Sequence, residues 1–236
     1  MSNERSPRIL AEIPDLGIAI HKPFGLRMHP ANADGEDDLV AWLGRQPDLP
    51  PEMAPAHRLD LGASGIVLCS PSAEGRRELA RWFAEGLVQK TYLAVVHGRT
   101  HKKGTIQRKL ADGRRKKPLD AVTRYRRLEW LGGFTLVKAQ PETGRKHQLR
   151  RHLHGIGHPI VGDDRYRPRH RRRIPGFPGR LWLHARVLEL PTGQVIEDPL
   201  PPELLASLDA MRAGADRLAK RAATAAADRA APIGEE

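Results

Sequence analysis

The sequence predicts a mixed α/β domain, rich in short strands and poor in helix, on three observations. Apolar or alternating runs of strand length recur along the chain and are closed by Gly or Pro turn formers. Only two interior stretches carry helical periodicity behind a residue able to cap a helix. A chain of 236 residues that is 39% hydrophobic can bury one substantial core, and no run approaches the ~18 apolar residues of a membrane span.

The elements follow in order. Residues 1–14 are polar and punctuated by proline, and an unstructured start is expected. GIAIHK reads as a strand ended by Pro23 and Gly25. In HRLDLGASGIVLCS, residues 57–70, a Gly-bounded turn feeds Ile66 to Cys69, which has the branching of a buried strand. Ser72 then caps a helix with Leu79, Trp82, Phe83 and Leu87 on one face. KTYLAVVHG is a strand stopped by Gly98, and AVTRYRRLEWL and FTLVKAQ flank Gly132-Gly133 as a hairpin. Thr143 is placed to cap a short helix with Leu149, Leu153 and Ile156 on one stripe and His147, Arg150, Arg151 and His154 on the other side. LWLHARVLELPTG is a last strand and turn. The working division is a start at 1–14, a domain over 15–207 and an Ala-rich helical or disordered tail over 208–236.

Charge narrows the partner. Forty Lys and Arg against 28 Asp and Glu leave a net charge of +12, concentrated in GRRKK at 113–117 and RYRPRHRRR at 165–173. Guanidinium forks suit phosphate, so nucleic acid leads, with a generic basic surface or an anionic membrane as the alternatives that charge alone leaves open. The first residues lack an apolar signal core and Cys69 is the single cysteine, which favours a reducing cytoplasm over export.

Individual residues have bland readings beside sharp ones. Asp60 at a strand's mouth is placed for catalysis, yet an Asp near a turn is more often only a turn residue. His147, His152, His154 and His158 invite a metal, but their helical angles diverge and no HExxH or paired cysteines accompany them, so no metal is expected. Ser64 in GASG lacks the full nucleophile elbow.

The segments together resemble a family. HRLDLGASG is similar to the HRLDxxTSG signature of the RluA-type pseudouridine synthases, HKPFGLRMHP to their KPxGxxVHP segment and KTYLAVVHG to their KxYxAxxxG strand. TGRKHQLRRHLHGIGHPIVGDDRY and RLWLHARVLEL with EDPLPPEL resemble the later blocks, in the same order, from about Ile18 to Leu204. The resemblance implies the pseudouridine synthase catalytic fold, a curved, largely antiparallel sheet flanked by helices with a central cleft. It implies isomerisation of uridine in RNA to pseudouridine, without cofactor or metal.

The same resemblance implies roles. Asp60 is the catalytic carboxylate, either attacking the ribose or steadying it. Arg58 fills the space of the flipped uridine, and Tyr92 stacks on the base and assists proton removal. Arg150 pairs with Asp60, and Leu183 lines an apolar wall. Arg145, Lys146, His147 and Arg151 are expected to contact RNA. Leu61, Ala63 and Arg167 depart from the pattern without touching Asp60, Tyr92 or Arg150. The wording TGRKHQLRRHL is closest to the TruC type, so tRNA is favoured over ribosomal RNA; no membrane and no obligatory protein partner are expected, and the chain is expected to be a monomer. A non-catalytic RNA-binding protein and a metal-dependent nuclease are the other classes.

Overall fold

In the computed structural model, which describes residues 6–30, 38–111, 117–170 and 172–230, the fold is organised on one ten-stranded sheet. The elements in chain order are β1 (Arg8–Ile13), β2 (Gly17–Lys22), α1 (Leu39–Gly44), β3 (Ala54–Pro55), β4 (Ser64–Ser70), α2 (Ala73–Ala84) and β5 (Gln89–His97). They continue with β6 (Lys103–Gln107), β7 (Val122–Trp130), β8 (Phe134–Pro141), α3 (Gln148–Gly155), β9 (Leu183–Glu189), β10 (Val195–Glu197) and α4 (Pro202–Ala230).

Strands lie in the order β1-β2-β4-β9-β5-β8-β7-β6, with β3 on β4 and β10 on β9. Every pairing is antiparallel except β4 with β9. The sheet is therefore largely antiparallel, as expected, and helices pack on it. Among the described residues no helix is long and apolar enough to cross a membrane.

β4 is buried along its whole length, which is why its sequence is apolar without alternation. The parallel contact with β9 is short, pairing Ser64 with His184 and Gly65 with Ala185. Gly65 has φ of +123°, and a Cβ there would lie 2.3 Å from the carbonyl oxygen of Ala185, so only glycine allows the two backbones to meet. Below this junction sits a directed hydrogen-bond chain. Arg180 donates to the Ser64 hydroxyl at 2.7 Å, Ser64 donates to His184 Nδ1 at 2.9 Å, and His184 Nε2 donates to the carbonyl of Asp198 at 2.9 Å. The role of Ser64 is thus structural: it is fully buried and its hydroxyl is spent on both sides.

Three expectations are corrected. Residues 8–13 are not an unstructured start: they form β1, paired with β2, with Ile13 buried and Arg8 donating to buried Asp198 at 2.7 Å. The alternation in RILAEI is weak because only one end of the strand is covered. Leu87 does not share the face of α2, which Ser72 caps through the amide of Gly75; the helix ends at Ala84 and Leu87 is exposed. The last helix begins at Pro202, and Leu208 and Met211 join the core with Leu204, so the tail from 208 is in part core. Of the GRRKK run, 113–116 lie outside the described residues, as does residue 171.

Candidate active site

A cleft of about 530 Å³ opens between the 56–63 segment, the start of β5 and the segment leading into α3. It is walled by Phe83, Leu149 and Leu183 on its apolar side. Arg58, Lys90, Arg145, Lys146 and Arg150 bring positive charge to it, and Asp60 is the one carboxylate among the described residues that line it.

Local structure puts Asp60 there. Buried Leu59 anchors the chain just before it, and Asp60's own carbonyl accepts from the amide of Ala63 at 3.1 Å to close the turn into β4. The amide of Gly25 donates to the Leu61 carbonyl at 2.8 Å, tying this turn to the segment after β2. Lys22, fully buried, braces that segment by donating to the carbonyls of Pro23 at 2.7 Å and Leu26 at 3.0 Å. Burial foremost, then the charge of Arg180, pull its ammonium down to about 7, against the opposing pull of Asp60.

Arg150 projects from the first turn of α3. Its Nη1 lies 3.6 Å from Asp60 Oδ2, while Nε and Nη2 each donate to Asp163 at 2.8 Å and Nη2 also reaches Asp164 at 3.2 Å. Asp163 is buried and accepts in addition from the amides of Arg165 and Tyr166. These bonds to Arg150 and the amides overcome the cost of burial and hold its carboxyl below the usual range. One edge of the guanidinium is thereby fixed by Asp163 and the remaining corner is presented to Asp60.

Thr143 does not cap α3. The cap position is His147, in a left-handed conformation with φ of 53° and no side-chain cap bond. Thr143 instead donates to Gln148 Oε1 at 2.7 Å, and Gln148 donates to the Val122 carbonyl at 2.8 Å, so the segment is bolted to β7. The turn swings the His147 ring to 3.8 Å from Asp60 Oδ1. Burial, then the nearby Arg150, Arg165 and Lys146, keep that imidazole below its ordinary value although Asp60 pulls the other way.

Tyr92 reaches the cleft from β5, in register with Ala139 of β8 and Ala185 of β9. Burial foremost, then the charge of Asp60, raise its phenol above the ordinary value, so at neutral pH it is a flat ring with a hydroxyl rather than a phenolate. Arg58 is exposed at the mouth, next to His57, whose Nε2 accepts from the amide of Leu68 at 2.9 Å.

The structure thus brings Arg58, Asp60, Tyr92, Arg145, Lys146, His147, Arg150 and Leu183 around one cleft. Arg151 is not among them: it faces away and donates to the Ala111 carbonyl at 2.9 Å. The four histidines do not converge, since His152 turns to Thr123 and His158 to the carbonyl of His97. Sequence reasoning missed Lys22, Lys90 and Asp163. All three stand inside the quoted HKPFGLRMHP, KTYLAVVHG and GDDRY segments, but nothing in their spacing says which side chain they hold.

Residues 16–155 match the family model for RNA pseudouridylate synthase. The chain belongs to the RluA-type RNA pseudouridine synthases. The synthase is 36% identical over 194 residues to the tRNA pseudouridine synthase C of Haemophilus ducreyi, covering 72% of this chain and 80% of that one. It is also 36% identical over 218 residues to the ribosomal large subunit pseudouridine synthase D of Nitrosomonas europaea, covering 83% of this chain and 62% of that one. Among solved structures, the human RNA pseudouridylate synthase domain containing 4 superposes with a TM-score of 0.71 at 25% identity, covering 86% of the synthase and 92% of that chain. The synthase is therefore an RNA-modifying isomerase, and its fold is the family's.

Proposed function

We propose that the synthase isomerises uridine in tRNA with Asp60 as its catalytic carboxylate, Tyr92 as the platform for the base and Arg150 as the cation that orients Asp60. The observation that carries the reading is Asp60 as the one carboxylate among the described residues lining a cleft rich in cationic groups, faced by a guanidinium at 3.6 Å. In the net reaction the N1–C1′ bond breaks and a C5–C1′ bond forms. The C5 proton leaves and N1 takes one up, so composition is unchanged and no redox partner is needed.

A carboxylate beside C1′ serves that exchange by bonding to the sugar or by stabilising its cationic character as the base departs. The detached uracil has to turn without escaping, which suits a cleft walled by Phe83, Leu149 and Leu183. Stacking on Tyr92 offers the base a face throughout the turn. Consumption of Asp60's charge in an adduct would remove one of the two causes that hold the Tyr92 phenol high, favouring its use in the later proton removal. Arg58, exposed at the mouth, is placed to occupy the gap left by a flipped uridine, whose extrusion costs a few kcal/mol. Such a reaction belongs in the cytoplasm, where tRNA is.

The lean to tRNA rests on relatives: the chain covers 80% of the Haemophilus ducreyi tRNA enzyme against 62% of the Nitrosomonas europaea ribosomal one, at equal identity. The test is pseudouridine formation on tRNA and, separately, on ribosomal RNA from cells lacking the gene, with wild type and Asp60→Asn side by side. Wild type is expected to modify tRNA, and Asp60→Asn to bind it with unchanged affinity while forming no pseudouridine. Modification confined to ribosomal RNA would overturn the substrate, and an active Asp60→Asn would overturn the mechanism.

A further inference from the structure

A second groove, of about 620 Å³, lies between the β7–β8 turn, the 172–176 segment and α4. Its charged lining is Arg172, Arg173, Arg217 and Arg221, with no acidic side chain among the described residues that line it. All four arginines are exposed. Arg217 and Arg221 are one helical turn apart on α4 and so share a face, an arrangement that like charges disfavour unless an anion sits between them. Arg212, on the same helix, shows the ordinary alternative: it is neutralised by Glu129 at 2.8 Å and Asp209 at 3.2 Å.

The groove is connected to the cleft in two ways. The amide of Gly98, at the far end of β5 from Tyr92, donates to the Gly133 carbonyl on the groove's wall at 2.9 Å, which puts the two sites about 20 Å apart by strand rise. The described residues 163–170 also lead away from the buried Asp163 behind Arg150, with Arg165, Arg167 and Arg169 exposed, and Arg172 and Arg173 stand next in the sequence. Cationic groups therefore continue from the catalytic cleft to the groove.

We propose that this groove binds the phosphate backbone of the substrate RNA, a few nucleotides away from the uridine held in the cleft. The inference rests on the RNA reading above and adds to it a second, sequence-independent contact. Exposed guanidinium groups that have no carboxylate partner among the described residues suit phosphates, whose binding releases counterions. Such a contact holds the RNA while the cleft, with Asp60, selects and turns one base.

The test is binding of unfractionated tRNA to the full chain across a KCl series. Wild type is compared with Arg217→Gln/Arg221→Gln and with Arg81→Gln/Arg186→Gln. The control pair loses the same net charge from arginines that sit outside the groove beside Glu78, Glu85 and Glu197. Glutamine keeps the helix, and circular dichroism verifies folding. The groove variant is expected to lose affinity by on the order of tenfold at 0.1 M KCl, and its salt slope is expected to shallow by about 1.5, as for two phosphate contacts. The control is expected to match wild type. Equal losses in both variants would reduce the effect to net charge, and an unchanged slope in the groove variant would remove the contact; either overturns the proposal while leaving the enzyme's function intact. Phosphatidylserine vesicles serve as a second probe, and loss of vesicle binding with RNA binding unchanged would assign the groove to lipid instead. A wild-type chain that binds no tRNA would overturn both this inference and the tRNA reading.

Discussion

Arg150 is shared between Asp163, which fixes two of its nitrogens at 2.8 Å, and Asp60, which faces the third at 3.6 Å. Asp163 does not itself line the cleft and is predicted to act on it only through Arg150, as a positioning residue. Asp163→Ala leaves Arg150 buried with one partner removed, a loss of about 3–5 kcal/mol in stability where it is not relieved by water. Freed of its fixed edge, the guanidinium no longer meets Asp60 in one place, and displacements of about 1 Å cost up to ~100-fold in rate. The expected outcome is a kcat lowered by about 10- to 100-fold with KM little changed, and partial recovery in Asp163→Glu, which restores the acceptor at a longer reach. Steady-state kinetics with a melting curve on each variant checks it; a fall in stability with full kcat would make Asp163 structural only. Asp60 was legible in the sequence because HRLDLGASG carries it as a unit. Asp163 was not, because its meaning lies in a contact with a side chain 13 residues away on α3.

At the scale of elements, the β4–β9 junction supports the turn that carries Asp60, and it is held by two residue pairs and a buried hydrogen-bond chain. His184 accepts from Ser64 and donates to a carbonyl, which requires the neutral ring, and burial foremost pulls its pKa down to about 4. An unfolded histidine titrates near 6.5. Between those values the unfolded chain holds a proton that the folded one refuses, so stability is fully present above about pH 6.5 and falls as pH drops toward 4, by about 3 kcal/mol from this group. His57, lowered to about 3 by burial foremost, acts in the same direction. Urea unfolding at a series of pH values is expected to show this loss. In His184→Gln the slope should lessen by about 1.4 kcal/mol per pH unit; an unchanged slope would mean that His184 takes its proton without breaking the junction. The strands with strong apolar content, β4, β5 and β8, were readable from sequence alone. β3, β6 and α1 were not: two, five and six residues long, they are defined by what they pair or pack with more than by their own pattern.

For the whole molecule, charge was visible in composition and the strand-rich character in run lengths, and the fold followed from the family resemblance, whereas the limits of the folding unit were not visible. A boundary at 15 and another at 207 follow composition, but the sheet and core cross both. β1 lies before the first, supplying the edge pairing to β2, buried Ile13 and the Arg8–Asp198 ion pair. Leu208 and Met211 lie after the second, and each is buried against the cluster that includes Leu149, Leu153 and Leu183 beside the cleft. Losing a buried Leu or Met side chain costs about 2–5 kcal/mol, and a domain of this kind has about 5–15 kcal/mol in all. A piece spanning 15–207 is therefore expected to be unfolded or molten at 37 °C and inactive on RNA. A piece spanning 6–224 keeps β1, the core turns of α4 and the arginines of the second groove, and omits only residues outside the described core. It is expected to melt within a few degrees of the full chain and to retain its activity. Differential scanning calorimetry of the two pieces decides the matter. A cooperative transition in 15–207 at the full chain's temperature would show that β1 and the start of α4 are accessory, and that the compositional boundaries were the physical ones.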